Sequence, residues 1–327
     1  MKGIKISVIH ADAFQIKADC LVLKYAQATY GLDRDIEIEF ERIGDPITEK
    51  FPKVGGYYFT DSKGITSTKS IIFIGVPTLR QFGYKEIREF GRKSLISLAS
   101  SDPNIKKVIM TIHGPGYGLD EIEAFESQLA GIMDSISSDD IPNELSEIVF
   151  VERSQGRATR LQKVIESLFP TYQIPTQKSG GVKELTESTA ETLRAAGYGS
   201  DSKKRIFVAM PFAAEFDDIY HYGIQGAVNA CGYLCERADL SSFTGDVMEF
   251  VKERIATSHF VIADLTTANP NVYLEVGYAW GLDKKTVLLI KDTKDLKFDT
   301  QGQRCLPYIS IKDLETKLKT ELTNLKL

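Results

Sequence analysis

Ser258 to Trp280, reading SHFVIADLTTANPNVYLEVGYAW, constrains this chain more than any other stretch. Phe260 to Ala263 is an apolar run of buried-strand length, and it ends on Asp264. Asn269-Pro270-Asn271 then predicts a helix start. Asn269 supplies an N-cap oxygen, and Pro270 takes the first helical position, where its missing N–H costs nothing. The helix is expected to run past Glu275 and Gly277 to about Gly281. Glu275 lies one turn beyond Asn271 and shares its face. A buried strand feeding a helix is the unit of a parallel sheet, and ligands of such sheets bind outside the carboxyl ends of the strands. Asp264, Asn269, Asn271 and Glu275 are therefore expected at one crevice.

A carboxylate at that place has a chemical use. Glu275 could attack or stabilise an anomeric carbon as an N-glycosidic bond breaks, because a fixed negative charge favours an oxocarbenium-like transition state. The bland alternative is a solvated Glu on a helix face. The residues DLTTANPNVYLEVGYAWGLDKK resemble the core motif of the nucleoside 2-deoxyribosyltransferase family and its TIR-like relatives. The resemblance implies that Glu275 is the nucleophile and Asp264 the acid that ends the strand. It puts Asn269 where the family keeps an Asp that helps to hold sugar or base, so the catalytic set is Glu275, Asp264 and Asn269. Asn in place of Asp departs from deoxyribosyl transfer and leaves room for another N-glycoside.

At 327 residues the chain has the length of two ordinary domains. Its net charge of −5 offers no generally basic surface to nucleic acid, so nucleic acid is not expected as a partner. No apolar run is long enough to cross a bilayer, and the opening MKGIKISVIHAD reads as a strand rather than a signal peptide. Cys20, Cys231, Cys235 and Cys305 are too few and too scattered for a disulfide framework. Cys231 and Cys235 lack a second pair of ligands, so no metal is expected. The expectation is a reduced, cytoplasmic protein with no membrane association.

In the first half, strands are predicted at Ile4 to Ile9, Cys20 to Tyr25, Tyr57 to Thr60, Ser70 to Val76, Lys107 to Ile112 and Ile148 to Val151. Helical spacing alternates with them, which predicts a three-layer α/β domain over residues 1–169. HGPGYG, His113 to Gly118, is a glycine-rich loop between a strand and a helix, where backbone N–H groups can approach an anion. It is neither a Walker loop nor the dinucleotide fingerprint, and a tight turn alone would also need its glycines. This half resembles the macro domain, most closely the macro-like N-terminal domain of leucyl aminopeptidases. The matching residues are Asp12, Ala18 to Val22, Gly31-Leu32-Asp33 and Gly114 to Gly118. The resemblance implies an ADP-ribose-type ligand, with Asp12 at the adenine, Gly114, Gly116 and Gly118 around phosphate, and His113 as a further contact. Lys24-Tyr25-Ala26-Gln27 replaces the family's Asn-rich segment, which speaks against catalytic removal of ADP-ribose.

Residues 170–204 carry Pro170, Pro175, Gly180-Gly181, Gly197 and Gly199 and read as a joint with one short helix. Residues 205–327 then alternate five strands with helices, which predicts a flavodoxin-like doubly wound sheet. Its strand ends bring Met210, Phe212, Arg237 and Asp239 towards Asp264. Phe212 could stack on a base, Arg237 could pair with phosphate or with a neighbouring carboxylate, and Tyr278 could pack on a sugar. The leading expectation is N-glycosidic cleavage of a nucleotide. NAD is the preferred substrate, consumed rather than kept as a cofactor, and the products are nicotinamide and ADP-ribose or a cyclic form. The two resemblances together imply a bacterial antiviral effector with a nucleotide activator at the first domain and a homo-oligomeric state. Two alternatives stay open. One is a nucleoside 2-deoxyribosyltransferase or nucleoside/nucleotide hydrolase. The other is a non-catalytic nucleotide-binding signalling protein.

Overall fold

In the computed structural model, residues 3–114, 118–176, 185–238, 247–292 and 305–325 are described. The chain divides into two units, one of residues Met1–Gly114 and Glu121–Ser200, the other of Pro115–Asp120 and Asp201–Leu327. The glycine-rich loop after His113 therefore belongs largely with the second unit.

In the first unit, strands β1 (Ile4–His10), β2 (Ala18–Tyr25), β3 (Tyr57–Asp61), β4 (Thr68–Gly75), β5 (Lys107–Thr111), β6 (Glu147–Glu152) and β7 (Gln173–Ile174) form one sheet. Their order is β3-β4-β2-β5-β6-β1-β7. The inner five strands are parallel, and β3 and β7 close the edges antiparallel. Strands buried on both faces need continuous apolar runs, and Leu21-Val22-Leu23 and Ile71 to Ile74 supply them. Alternate residues face opposite layers. Leu21, Leu23, Ile109 and Val149 pack with Ile36 and Phe40 of α1 (Leu32–Arg42). On the other face Phe150 meets Phe125 of α3 (Glu121–Ser137) edge to face at 5.0 Å. This is the three-layer layout expected from the sequence. Helix α2 (Tyr84–Ser101) crosses α3 closely at Gly131, where an added Cβ would lie 1.8 Å from the Arg88 carbonyl oxygen. Helix α4 (Gln155–Leu168) starts on an N-cap from Ser154. Helix α5 (Glu187–Ala195), within the stretch read as a joint, is held on this unit by Arg88.

The second unit contains β8 (Arg205–Ala209), a π-helix at Ile219–Gln225 that continues as α6 (Gly226–Ala230), and β9 (Leu234–Glu236). It continues with α7 (Val247–Thr257), β10 (Phe260–Asp264), α8 (Pro270–Gly281), β11 (Thr286–Ile290), β12 (Cys305–Pro307) and α9 (Ile311–Asn324). The strand order β12-β11-β10-β8-β9 is parallel throughout. It is the flavodoxin-like order, and its switch point lies between β8 and β10. Both faces are covered: Ile206, Val208, Ile262 and Leu289 pack with Ile224, Leu314 and Leu318. Phe207, Ala209, Val261 and Leu288 pack with Val251, Val272 and Val276. The sequence predicts one α-helix over 215–230, but the structure has a short 3-10 turn at Ala214–Phe216 and then the π-helix. Among the described residues no helix is long and apolar enough to cross a membrane.

Candidate active site

The turn from β10 to α8 is built by its own polar groups. Asp264 is fully buried. One of its oxygens accepts the Thr266 backbone N–H at 2.9 Å, and the other accepts the Tyr308 hydroxyl at 2.7 Å. Burial pushes its carboxyl above the usual range, against these hydrogen bonds. Both oxygens are thus engaged inside the fold, an arrangement that fixes the turn. Thr267 and Ala268 follow at φ of 69° and 49°, the left-handed region that β-branched residues rarely enter. Asn269 caps α8 by accepting the Asn271 N–H at 2.9 Å, and Pro270 opens the helix. The structure therefore gives Asp264 and Asn269 positioning work at the turn.

Glu275 sits one turn into α8 and is half-buried. Among the described residues it makes no hydrogen bond or ion pair. Desolvation alone raises its carboxyl to about 7. The other apolar face of the helix is sealed by Val272, Val276 and Ala279 in the core. Asn271 is exposed, and Tyr278 is half-buried against the same core with Lys252 Nζ 5.8 Å from its ring.

At the neighbouring strand ends, Met210 is buried just after β8 and Phe212 is 47% exposed. Arg237 follows β9, with its guanidinium carbon 4.1 Å from the Tyr220 ring centre and 5.4 Å from that of Phe212. It reaches Met210 Sδ at 3.9 Å and Asp217 at 3.6 Å. Sequence reasoning found Met210, Phe212 and Arg237 as strand-end residues but not Tyr220, Asp217 or Tyr308. Tyr220 lies on the π-helix, and π segments often mark functional places. That signal is invisible without the backbone. Asp239 lies outside the described residues.

In the first unit, Asp12 follows β1. Its carboxylate accepts the Phe14 N–H at 3.0 Å and lies 3.7 Å from Arg153. His113 is packed edge-on against Phe90 at 4.8 Å, with Nε2 3.3 Å from the Thr111 hydroxyl. Burial holds the imidazole well below its ordinary value, so it is neutral. It is packed as a core residue rather than presented to a ligand, which departs from the expected contact role. Gly114 and Gly118 adopt φ of 113° and 82°. Gly118 belongs to the second unit and lies against the Arg237–Ala238 backbone of that same unit, and Gly116 is outside the described residues.

Among the described residues no cluster of His, Cys, Asp or Glu could hold a metal ion. A cavity of about 270 Å³ lies at the opposite, amino-terminal ends of β10 and β11, against α9. Glu275 and Arg237 do not line it.

No protein-family model matches the chain, and no curated protein does. Solved structures similar to it include a CMP N-glycosidase of Clostridium botulinum, at 19% identity over 38% of this chain and 100% of that one, with a TM-score of 0.30. A macrodomain of Trypanosoma brucei is 14% identical over 49% of this chain and 67% of its own, with a TM-score of 0.40. The macrodomain of Mycobacterium tuberculosis DarG is 15% identical over 45% of this chain and 98% of its own, with a TM-score of 0.35. The fold assignment rests on the strand order and burial described above.

Proposed function

We propose that this protein cleaves the N-glycosidic bond of a nucleotide at the carboxyl edge of its second sheet, with Glu275 as the nucleophile. One observation carries the reading: Glu275 is a desolvated carboxylate with no polar partner among the described residues, on the helix that leaves the switch-point strand. Buried Glu121, by contrast, is ion-paired with Arg157 and Arg160, and buried Asp264 is hydrogen-bonded to Thr266 and Tyr308. A carboxylate left desolvated and unpaired at the carboxyl edge of a parallel sheet is a candidate for chemistry.

NAD is the proposed substrate. Its nicotinamide is a pyridinium, and a cation bound beside Glu275 would favour the ionised carboxylate that burial disfavours. The C1′–N bond then breaks with its electron pair returning to the ring nitrogen, and neutral nicotinamide leaves. The carboxylate oxygen bonds C1′ or stabilises the oxocarbenium ion. Water attack at C1′ gives ADP-ribose, frees the carboxylate and releases one proton. A cyclic product arises if a group of the adenine attacks instead of water. Nucleotide activation through the first unit, homo-oligomeric assembly and a role in antiviral defence belong to the same proposal and follow from the resemblances of sequence.

The test is base release from NAD and from a panel of nucleosides and nucleotides, followed by chromatography. Nicotinamide release supports the reading. Release from nucleosides alone moves the protein to the deoxyribosyltransferase or hydrolase class. Because the nucleophile must be ionised, kcat/KM should rise with pH and level off above about 7. A profile that falls over that range would instead assign Glu275 the role of an acid.

A further inference from the structure

Among the described residues, other deeply buried arginines are matched by oxygen acceptors. Arg88, with a side chain 7% exposed, forks onto Asp134 at 2.7 and 2.8 Å. It also donates to the carbonyls of Leu193, Arg194 and Ala196. Arg160, 13% exposed, forks onto Glu121 at 2.8 and 3.1 Å. Arg254, 17% exposed, donates to Glu236 at 2.9 Å.

Arg237 is 10% exposed and breaks this pattern. Among the described residues its one hydrogen bond is the 3.9 Å contact with the Met210 sulfur, a weak acceptor. Asp217, the carboxylate beside it, stands at 3.6 Å and is 57% exposed, too far for a hydrogen bond and largely screened by water. What surrounds the guanidinium is aromatic: Tyr220 at 4.1 Å and Phe212 at 5.4 Å. Ring faces attract the cation but take none of its five in-plane N–H donors. A desolvated cation with open donors is unfavourable in isolation and favourable once an oxyanion meets it. The planar fork matches two phosphate oxygens. The residue also stands where a substrate would lie, after the carboxyl end of β9 and against Met210, the residue that follows β8.

We propose that Arg237, held by Tyr220, Phe212 and Met210, recognises a phosphate group of the substrate and makes the site selective for phosphorylated nucleotides over nucleosides. The proposal rests on the reading of this edge as a nucleotide site, and its test does not require turnover. The full chain is titrated calorimetrically with inorganic pyrophosphate, with malonate as a dicarboxylate control. The proteins are the wild type, Arg237→Gln, Arg237→Lys, Phe212→Ala and Lys5→Gln. Saturable pyrophosphate binding is expected in the wild type, weakened about tenfold or more by Arg237→Gln. Arg237→Lys recovers part of it, since a point charge lacks the fork. Phe212 is partly exposed, so Phe212→Ala keeps the fold and serves if Arg237→Gln does not; a loss of about threefold is expected from the missing cation–π contact. Lys5→Gln, which removes a largely exposed cation on β1, leaves pyrophosphate affinity within about twofold. No saturable binding by the wild type, equal affinity after both Arg237→Gln and Phe212→Ala, or malonate bound as tightly as pyrophosphate would each overturn the proposal. Binding that depends on Arg237 in a protein that releases no base would keep the anion site and remove the glycosidic reading.

Discussion

Glu275 and Arg88 are both charged groups withdrawn from water, and they predict opposite responses to removal. The Glu275 carboxyl lies at about 7 in the folded chain against an ordinary value of 4.5. The folded state therefore holds a proton that the unfolded state has already lost between these values, so this residue makes stability fall as pH rises from about 4.5 to 7. Glu275→Gln should be more stable than the wild type at pH 8 in urea unfolding, with the difference vanishing near pH 4. A wild type that is equally stable or more stable at pH 8 would contradict the buried, unpaired state of this group. Arg88 is the reverse case, since its guanidinium satisfies Asp134 and three carbonyls at once. Arg88→Gln should lower stability by about 3 kcal/mol in the same measurement, because it strands those acceptors. Arg237→Gln should cost clearly less, since it strands no oxygen partner. Glu275 was legible because it belongs to a local motif with helical spacing. Arg88 was not, since its partners lie 46 to 108 residues away. Asp264 was legible as a strand end, but its bond to Tyr308, 44 residues on, was not.

At the scale of elements, the β10–α8 turn joins a strained backbone to a well-made cap. Thr267 at φ 69° is held there by the hydrogen bonds of Asp264, Thr266 and Tyr308 on one side and by the Asn269 cap on the other. Glycine carries no penalty in that region, so Thr267→Gly should stabilise the fold by about 1 kcal/mol. If the strain positions the helix for catalysis, the same change should lower turnover. Asn269→Ala should cost about 1 kcal/mol of stability through the lost cap. Equal melting of Asn269→Ala and wild type would show that Pro270 and packing hold the helix start without it. This turn was readable because its signals are local: an apolar run, an Asp, and Asn-Pro-Asn. Strand β11, Thr286–Ile290, was readable for the same reason. The π-helix was not. Its residues have ordinary helical spacing, and the wider turn coincides with tertiary contacts, Gly223 against Leu314 and the Tyr220 hydroxyl on the Cys235 carbonyl. Strand β7, two residues long, is too short to carry any periodicity.

For the whole molecule, two α/β layouts were foreseeable from strands alternating with helices, but the path of the chain between the units was not. Residues Pro115–Asp120 belong with the second unit, where buried Asp120 accepts the Cys235 N–H at 2.8 Å. A fragment of residues 201–327 lacks that acceptor, leaves a buried N–H orphaned, and should be less stable than the same region in the full chain. A fragment of residues 1–200 keeps α5 on Arg88 and should melt higher than one ending at 169, where three of the Arg88 acceptors are absent. These comparisons use circular dichroism and follow from contacts distant in sequence, since nothing local in 170–204 announces which unit it joins. The central claim concerns one bond and one carboxylate. The most direct test is incubation of the full chain with NAD, wild type beside Glu275→Gln, with nicotinamide followed by chromatography. The account predicts release by the wild type and a loss of about a thousandfold or more in the variant, the scale expected when a nucleophile is removed. Absence of release by the wild type, or release that survives Glu275→Gln, would contradict it.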